Sequence, residues 1–512
     1  MIQEKIKTIK ELEGIIEIHK NQGKKIVLCH GCFDFLHYGH IEHFLDAKKN
    51  GDILVVTVTP DRFIQKGPNR PFFNEEMRLN HISSIEFVDY VALNEWETAI
   101  ETIKILKPDI YAKGREVLGN KNIDELKISG EKKSNLAAEI EVLESIGGKI
   151  YLTDKVTFSS SNIINQFTDI LSEDAKNFIN ELKKRYSPES IIDLIESLKD
   201  LRVLVIGDAV LNEYIFTKSL DKSGKEPFVA YMNLYSEIQT GGVFAVANQI
   251  SCFSDNVSIL TCISGNDYEF IDKHLSMNIE RNIFIQNESK TIKKTRYMDE
   301  YRKLKLFEVY NNDELEMNKE TEQRILKFLE MNLSRFDMIV CVDFGHGTIS
   351  DEIMDFLCES NKYLAVNTQL NAGNMGYNFI TKYKRADYIS LNDKEIRLPF
   401  QEKKSDIRVP MGKLSKFFNI SKINVTRGKF GSICLYNGTF YSCPAFTKEP
   451  VDTIGAGDKI LSLTSLLSYK DVDPNVFSFL GNVIGGLSVK MIGNHSTIPI
   501  GEIKKFIHYI MK

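Results

Sequence analysis

A chain of 512 residues is long for one core and predicts about two to four domains. With 65 Lys and Arg against 70 Asp and Glu, its formal net charge of −5 excludes the basic footprint of a nucleic-acid binder. Hydrophobic (43%) and charged (26%) fractions are those of a globular protein, and no apolar run reaches the roughly 18 residues of a membrane span.

Residues 1–22 predict one helix, apolar at Ile6, Ile9, Leu12, Ile15, Ile16 and Ile18, that stops at Gly23 and packs on the first domain. This start is charged and amphipathic rather than a signal peptide, so the expectation is a cytoplasmic protein with small-molecule partners, no nucleic acid and no membrane. A short apolar strand at 25–29 runs into Gly31-Cys-Phe-Asp-Phe-Leu-His-Tyr-Gly-His40, with a helix beginning near Gly39. Strands at 53–58, 89–93, 109–112 and 149–152 alternate with helices at 74–83, 95–106 and 136–146, the spacing of a parallel, doubly wound sheet. Residues 171–198 are charged and helical, interrupted at Ser187-Pro188, and read as a linker. A second strand-first pattern opens at Leu201-Arg-Val-Leu-Val-Ile206 and continues as mixed α/β sequence. The expected division is therefore 1–170, a helical linker at 171–198, and 199–512, the last long enough for one kinase-type domain.

Eight cysteines fall mostly in apolar segments, among them Cys252, Cys262, Cys341 and Cys434, which predicts reduced thiols rather than a disulfide framework. Cys29 and Cys32 form a C-x-x-C, but no second pair supplies the other ligands of a zinc site.

A glycine-bracketed strand-to-helix turn carrying two histidines is a candidate phosphate site. His37 and His40 are three apart, so both imidazoles can face a ligand over the helix N-terminus, where backbone donors favour an anion. Cations follow at Lys66, Arg70, Arg78 and Lys113, able to offset the charge of a triphosphate while its phosphorus is attacked. His30 and His43 flank the motif and read as packing or surface histidines. Gly31, Phe33, Asp34, His37, Gly39 and His40 resemble the signature of the cytidylyltransferase-like nucleotidyltransferases, and Phe158-Ser-Ser-Ser-Asn162 resembles the I-S-T-T segment that closes their nucleotide site. The resemblance covers about residues 24–166. It implies a Rossmann-like domain using ATP or CTP, with His37, His40 and Lys66 in catalysis. It also implies Gly31, Phe33, Asp34, Gly39, Arg78, Lys113, Ser159, Ser160 and Ser161 around the nucleotide. Departures from the pattern are Arg115 and the pair Ser160-Ser161, which keeps the hydroxyls of two threonines.

Farther on, Val451-Asp-Thr-Ile-Gly-Ala-Gly-Asp458 precedes an apolar helical segment at 460–467. Small residues opening a helix let backbone N–H groups approach a developing negative charge, and a carboxylate there can take a proton from an attacking hydroxyl. Asp458 is then the base, with Gly455, Ala456 and Gly457 the anion hole, for phosphoryl transfer to an alcohol. This resembles the ribokinase family of carbohydrate kinases, which implies a second doubly wound α/β domain binding ATP and Mg2+. The resemblance puts Asp208, Asn212, Gly241 and Gly242 on the sugar, and Asn392 and Glu395 near magnesium. It puts Thr426, Gly428, Gly431 and Asn482 around the nucleotide. Departures are Asn212 and Ala245 in the sugar motifs, Asn367-Thr-Gln369 in an acceptor-side stretch, and Lys459 after the base. A D-F-G at Asp343 reads as cleft lining.

The two halves together resemble the bifunctional heptose-phosphate kinase/adenylyltransferases with their domain order reversed. That resemblance implies a homodimer making a nucleotide-activated sugar for a surface polysaccharide. The alternative is an active nucleotidyltransferase fused to a non-catalytic kinase-like binding or dimerisation module.

Overall fold

The computed structural model describes residues 2–34, 36–64, 71–115, 135–153, 171–222, 228–302, 304–312, 314–315, 317–447 and 450–511. Lys66, Arg70 and Ser159 to Ser161 lie outside the described residues. The chain divides into two units, Met1–Ile170 and Leu171–Lys512.

The first unit holds strands β1 (Ile6–Lys7), β2 (Ile26–Gly31), β3 (Ile53–Val58), β4 (Tyr90–Leu93), β5 (Ile110–Gly114) and β6 (Lys149–Thr153) in one parallel sheet of order β1-β4-β3-β2-β5-β6. β3 is buried at every residue, as a parallel strand covered on both faces must be. Side chains alternate across the sheet: Leu28 and Val55 meet Leu12, Ile16 and Ile103 on one face, while Val27 and Val56 meet Phe44 and Ile82 on the other. The chain leaves β2 for β3 on one side and returns to β5 on the other. The carboxyl end of β2 is therefore a topological switch point, where α/β folds bind ligands. The single helix expected over residues 1–22 is instead divided. Thr8 and Glu11 form a reciprocal capping box that starts the helix Ile9–Asn21 afresh, and Ile6 and Lys7 pair with β4 at the sheet edge.

The main sheet of the second unit has nine described strands in the order β11-β10-β7-β14-β15-β16-β17-β18-β19. They are β7 (Arg202–Gly207), β10 (Asn256–Ile263), β11 (Ile279–Ile285), β14 (Met338–Asp343), β15 (Tyr363–Thr368), β16 (Tyr388–Asn392), β17 (Lys422–Thr426), β18 (Ser432–Tyr436) and β19 (Thr439–Cys443). The sheet is parallel through β17 and antiparallel at its last two strands. A separate four-stranded sheet, β13-β12-β8-β9, is built from β8 (Ala209–Lys222), β9 (Val229–Gly242), β12 (Ile292–Asp299) and β13 (Leu304–Tyr310). The segment read as a linker belongs to this unit. Its helices Glu173–Lys183 and Pro188–Glu196 bury Ala175, Ile179, Leu182, Ile191 and Ile195 in the main core, while their charges face outward.

Among the described residues no helix is long and apolar enough to cross a membrane. All eight cysteines are reduced, and no cluster of His, Cys, Asp and Glu able to hold a metal ion occurs among the described residues.

Candidate active sites

β2 ends at Gly31, and the chain turns through Phe33, which adopts a left-handed φ of 47° and is buried against the rings of His40 and Phe44. His37 then caps the helix Tyr38–Lys48, which holds Gly39 in its first turn; the His37 carbonyl accepts the His40 N–H at 2.9 Å. Three-residue spacing at this helix opening stacks the two imidazoles, centroids 3.9 Å apart and 19° from parallel. The two candidate histidines thus form one surface at the switch point. Beside the turn is a cavity of about 310 Å³, lined among others by Gly31, Cys32, Thr59, Lys113 and Glu139. Lys113 donates to the His30 carbonyl at 3.1 Å and lies 3.7 Å from Glu139 Oε2, so its ammonium is held at the cavity wall.

Two expected nucleotide residues face inward instead. Asp34 is buried and its Oδ1 accepts the N–H groups of Phe72 and Phe73, at 2.5 and 3.0 Å. Arg78 is fully buried; its guanidinium donates to the carbonyls of Phe73, Cys32 and Thr59 and pairs with Asp61 at 2.6 Å. Both therefore clamp the loops that surround the site, because a buried ion takes the nearest fixed acceptors or donors. His30 is driven to about 3 by burial and by Lys113, and His43 to about 4 by the same two causes against Asp46, so both are neutral packing groups. Arg115 is exposed.

In the second unit, the 14-residue helix Ala456–Tyr469 opens directly after Gly455. Gly455 has a φ of 80°, and a Cβ there would meet Asn494 Oδ1 at 2.0 Å, so the turn and the approach of Asn494 both require glycine. Ala456, Gly457 and Asp458 form the first turn, whose N–H groups lack intrahelical acceptors and favour an anion. Asp458 is buried and its Oδ1 accepts from Gln369 Nε2 at 2.7 Å. Burial lifts its carboxyl to about 6, opposed by Gln369, Lys459, Asn494 and Lys294. A group titrating there is ionised at neutral pH yet basic enough to accept a hydroxyl proton.

The Asn392-x-x-Glu395 element is a capping box: Asn392 Oδ1 accepts the N–H groups of Lys394 and Glu395, and Glu395 Oε2 accepts that of Asn392. Glu395 is pushed up to about 7 by burial, with the charge of Asp458 adding to the rise. The two carboxyl groups therefore sense each other, and such a pair fits a neighbouring divalent cation. At the far edge, Thr426 ends β17 and Gly428–Phe430 makes a short 3-10 turn before Gly431. Asn482 donates to Ser432 Oγ at 2.7 Å, which brings Thr426, Gly428, Gly431 and Asn482 to one corner.

The expected sugar ligands differ most. Asp208 is buried, with Oδ2 accepting the N–H groups of Phe344 and His346 and Oδ1 that of Thr348. It organises the loop after β14 rather than presenting bare oxygens to a sugar. Asn212 accepts from Arg296 Nη1 at 2.7 Å, and a Cβ on Gly241 would sit 2.2 Å from the Asn212 amide nitrogen; Gly241 is thus the space that this amide fills. Gly242 starts the helix Val243–Ile250. Asp343 is also internal, bound to Lys382 and Tyr383 at 2.7 Å each, rather than lining the cleft.

Lys294 was not anticipated. It is buried over the rings of Tyr310 and Phe344, and burial pushes its ammonium down to about 8, with Glu308, Asp208 and Asp458 opposing. The signal was present in β12, where Lys294 and Arg296 fall in phase with the buried Ile292 and Met298.

Residues 28–166 match the cytidylyltransferase-like family, and residues 238–473 match the pfkB family of carbohydrate kinases. The chain is an enzyme with a nucleotidyltransferase-like domain and a carbohydrate kinase domain. The bifunctional protein HldE of Aliarcobacter butzleri is 40% identical over 130 residues, 24% of this chain and 27% of that protein. The protein of the same name from Geobacter metallireducens is 34% identical over 176 residues, 33% of this chain and 32% of its own. The chain thus spans about a third or less of the length of these curated relatives, all of it within the N-terminal part. Phosphofructokinase-2 from Escherichia coli, in complex with substrates and products, matches over its whole length and 61% of this chain, at 11% identity and a TM-score of 0.50. A variant of that enzyme gives 13% identity and the same score. The likeness is one of fold: Rossmann-like in the first unit, ribokinase-like in the second.

Proposed function

We propose that the protein is a bifunctional enzyme that makes a nucleotide-activated sugar. The second unit phosphorylates a hydroxyl of a sugar or polyol with ATP. The first transfers a nucleotidyl group from ATP or CTP to a sugar phosphate and releases pyrophosphate. The observation that carries the reading is Asp458, a buried carboxylate at a helix opening that burial lifts to about 6. In the kinase step Asp458 takes the acceptor hydroxyl proton as the oxygen attacks the γ-phosphorus. The bond to the bridging oxygen breaks and ADP leaves, with charge stabilised by the N–H groups after Gly455. Asn392 and Glu395 would hold hydrated Mg2+ through the lone pairs their backbone donors leave open, and the ion supplies charge offset on the ATP phosphates. In the first unit an ionised phosphate oxygen attacks the α-phosphorus without a base. His37, His40 and Lys113 then serve by position and charge.

The reading carries with it a cytoplasmic location, where nucleoside triphosphates are made, small-molecule partners and a homodimer. Two assays test it on the full chain. Mass spectrometry of a sugar and polyol panel with ATP and Mg2+ should find a phosphorylated product that Asp458→Asn abolishes. Pyrophosphate release from ATP or CTP across a sugar phosphate panel should vanish in His40→Ala; a fully active variant there sinks the site assignment. A second reading, a non-catalytic kinase-like module, is favoured by the internal bonding of Asp208 and Asn212. It wins if folded protein phosphorylates no member of the panel.

A further inference from the structure

The second unit holds another cavity, of about 610 Å³. Its walls are the end of β9 (Gln239, Thr240), Ala245, Asn248, Ser276, Lys459 and the loop 494–497, whose Asn494 also reaches Asp458. Glu237 is the one carboxylate among its lining residues, against Lys459, His274 and His495.

Lys459 is 2% exposed, and its ammonium makes one hydrogen bond among the described residues, to the Ser496 carbonyl at 2.7 Å. No carboxylate oxygen of the described residues forms an ion pair with it; Asp458 acts on it only through space and is bonded to Gln369. A buried ammonium without a counter-ion is costly, since neither water nor an opposite charge replaces its hydration. Burial accordingly pushes it down to about 8. Asp458 offsets part of that cost through space, and the cavity that Lys459 lines lets a further negative group reach it. The remaining walls offer neutral donors, the Thr240 and Thr497 hydroxyls and the Gln239 amide. A phosphate group, with its several acceptor oxygens, uses such a set more fully than a carboxylate does.

We infer that this cavity, beside the Asp458 site, is a binding site for a phosphate-bearing small molecule, with Lys459 as its counter-ion. Thermal unfolding of the full chain tests the inference, because a ligand that binds only the folded state raises the melting temperature with its concentration. Inorganic phosphate is the first probe, compared in the wild type, Lys459→Met and His495→Glu. The methionine keeps the length of the side chain and removes the buried charge. His495 is exposed, so the glutamate places a repelling carboxylate at the rim without disturbing the core. Phosphate bound by the first unit contributes equally to all three proteins and cancels in the comparison. The expected result is a phosphate-dependent rise in the wild type that needs at least about tenfold more phosphate in both variants. An equal rise in all three proteins, or no rise in the wild type, overturns the inference. Ribose 5-phosphate and AMP in the same series identify the source: half-effect at lower concentration than inorganic phosphate points to an organic phosphate, and at equal concentration to the free ion.

Discussion

Asp458→Asn should make the protein more stable and the kinase nearly inactive, and both effects follow from one number. In the fold the carboxyl is raised from 3.8 to about 6, mainly by burial. A raised carboxyl binds its proton more tightly folded than unfolded, so folding carries no penalty below the unfolded value and an increasing one as the pH climbs through the folded value. The difference of about 2 pH units corresponds to about 3 kcal/mol at pH 7, at roughly 1.4 kcal/mol per unit. Asparagine keeps the shape and the acceptor for Gln369 but cannot ionise. The variant should therefore melt a few degrees higher than the wild type at pH 7, and the advantage should shrink towards pH 4. Loss of the base should lower the rate of ADP formation with a competent acceptor by about 10²- to 10⁴-fold. Calorimetry of both proteins at the two pH values, with an ADP-coupled assay, measures both effects. A variant less stable at pH 7, or one whose advantage does not depend on pH, refutes the argument that Asp458 is a buried charge held for chemistry.

The wild-type kinase rate should rise with pH through about 6 as Asp458 ionises and fall above about 8 as Lys294 loses its proton; Lys294→Met should abolish the upper fall in a pH–rate series. Gly455→Ala forces a side chain onto Asn494 at a φ of 80°, and should lower kinase turnover while costing about 1–2 kcal/mol of stability, read by steady-state rates and denaturant titration. Arg78→Ala removes a buried guanidinium that four acceptors share, and should destabilise the first unit by about 3 kcal/mol or more in a thermal melt. If Arg78→Ala leaves the melt unchanged and weakens only nucleotide binding, Arg78 is a ligand and not a clamp.

What was legible in the sequence follows what is local. β3 matched the expected run residue for residue, because a covered parallel strand is a continuous apolar word. The histidine pair was legible because helical spacing alone stacks its rings. The four-stranded sheet was not, because β9 exposes Tyr231, Met232 and Leu234 in succession and shows no alternation. The internal bonds of Asp34, Arg78 and Asp208 were not legible for a related reason. Most of their partners lie 17 to 140 residues away, and spacing along the chain cannot tell a carboxylate aimed at a ligand from one aimed at a distant amide. Asn392-x-x-Glu395 shows the overlap at its narrowest, since the four residues read as a magnesium element also spell a helix cap.

The departures from the ribokinase pattern bear on whether the second unit turns over. A site losing its function under drift collects polar groups with no partner, because nothing selects their replacements together. Here two of the changed residues, Gln369 and Lys459, have bonded partners, while Asn367 keeps one buried oxygen without one. Gln369 donates to Asp458, and Lys459 donates to the Ser496 carbonyl. Gln369 is the sharpest case, because it lies in the altered acceptor-side stretch and yet holds the oxygen of the base. Its bond lowers the Asp458 carboxyl, opposing burial, and so keeps it ionised at neutral pH. The proposed kinase step, in which Asp458 takes a proton, gives Gln369 a reason to be there.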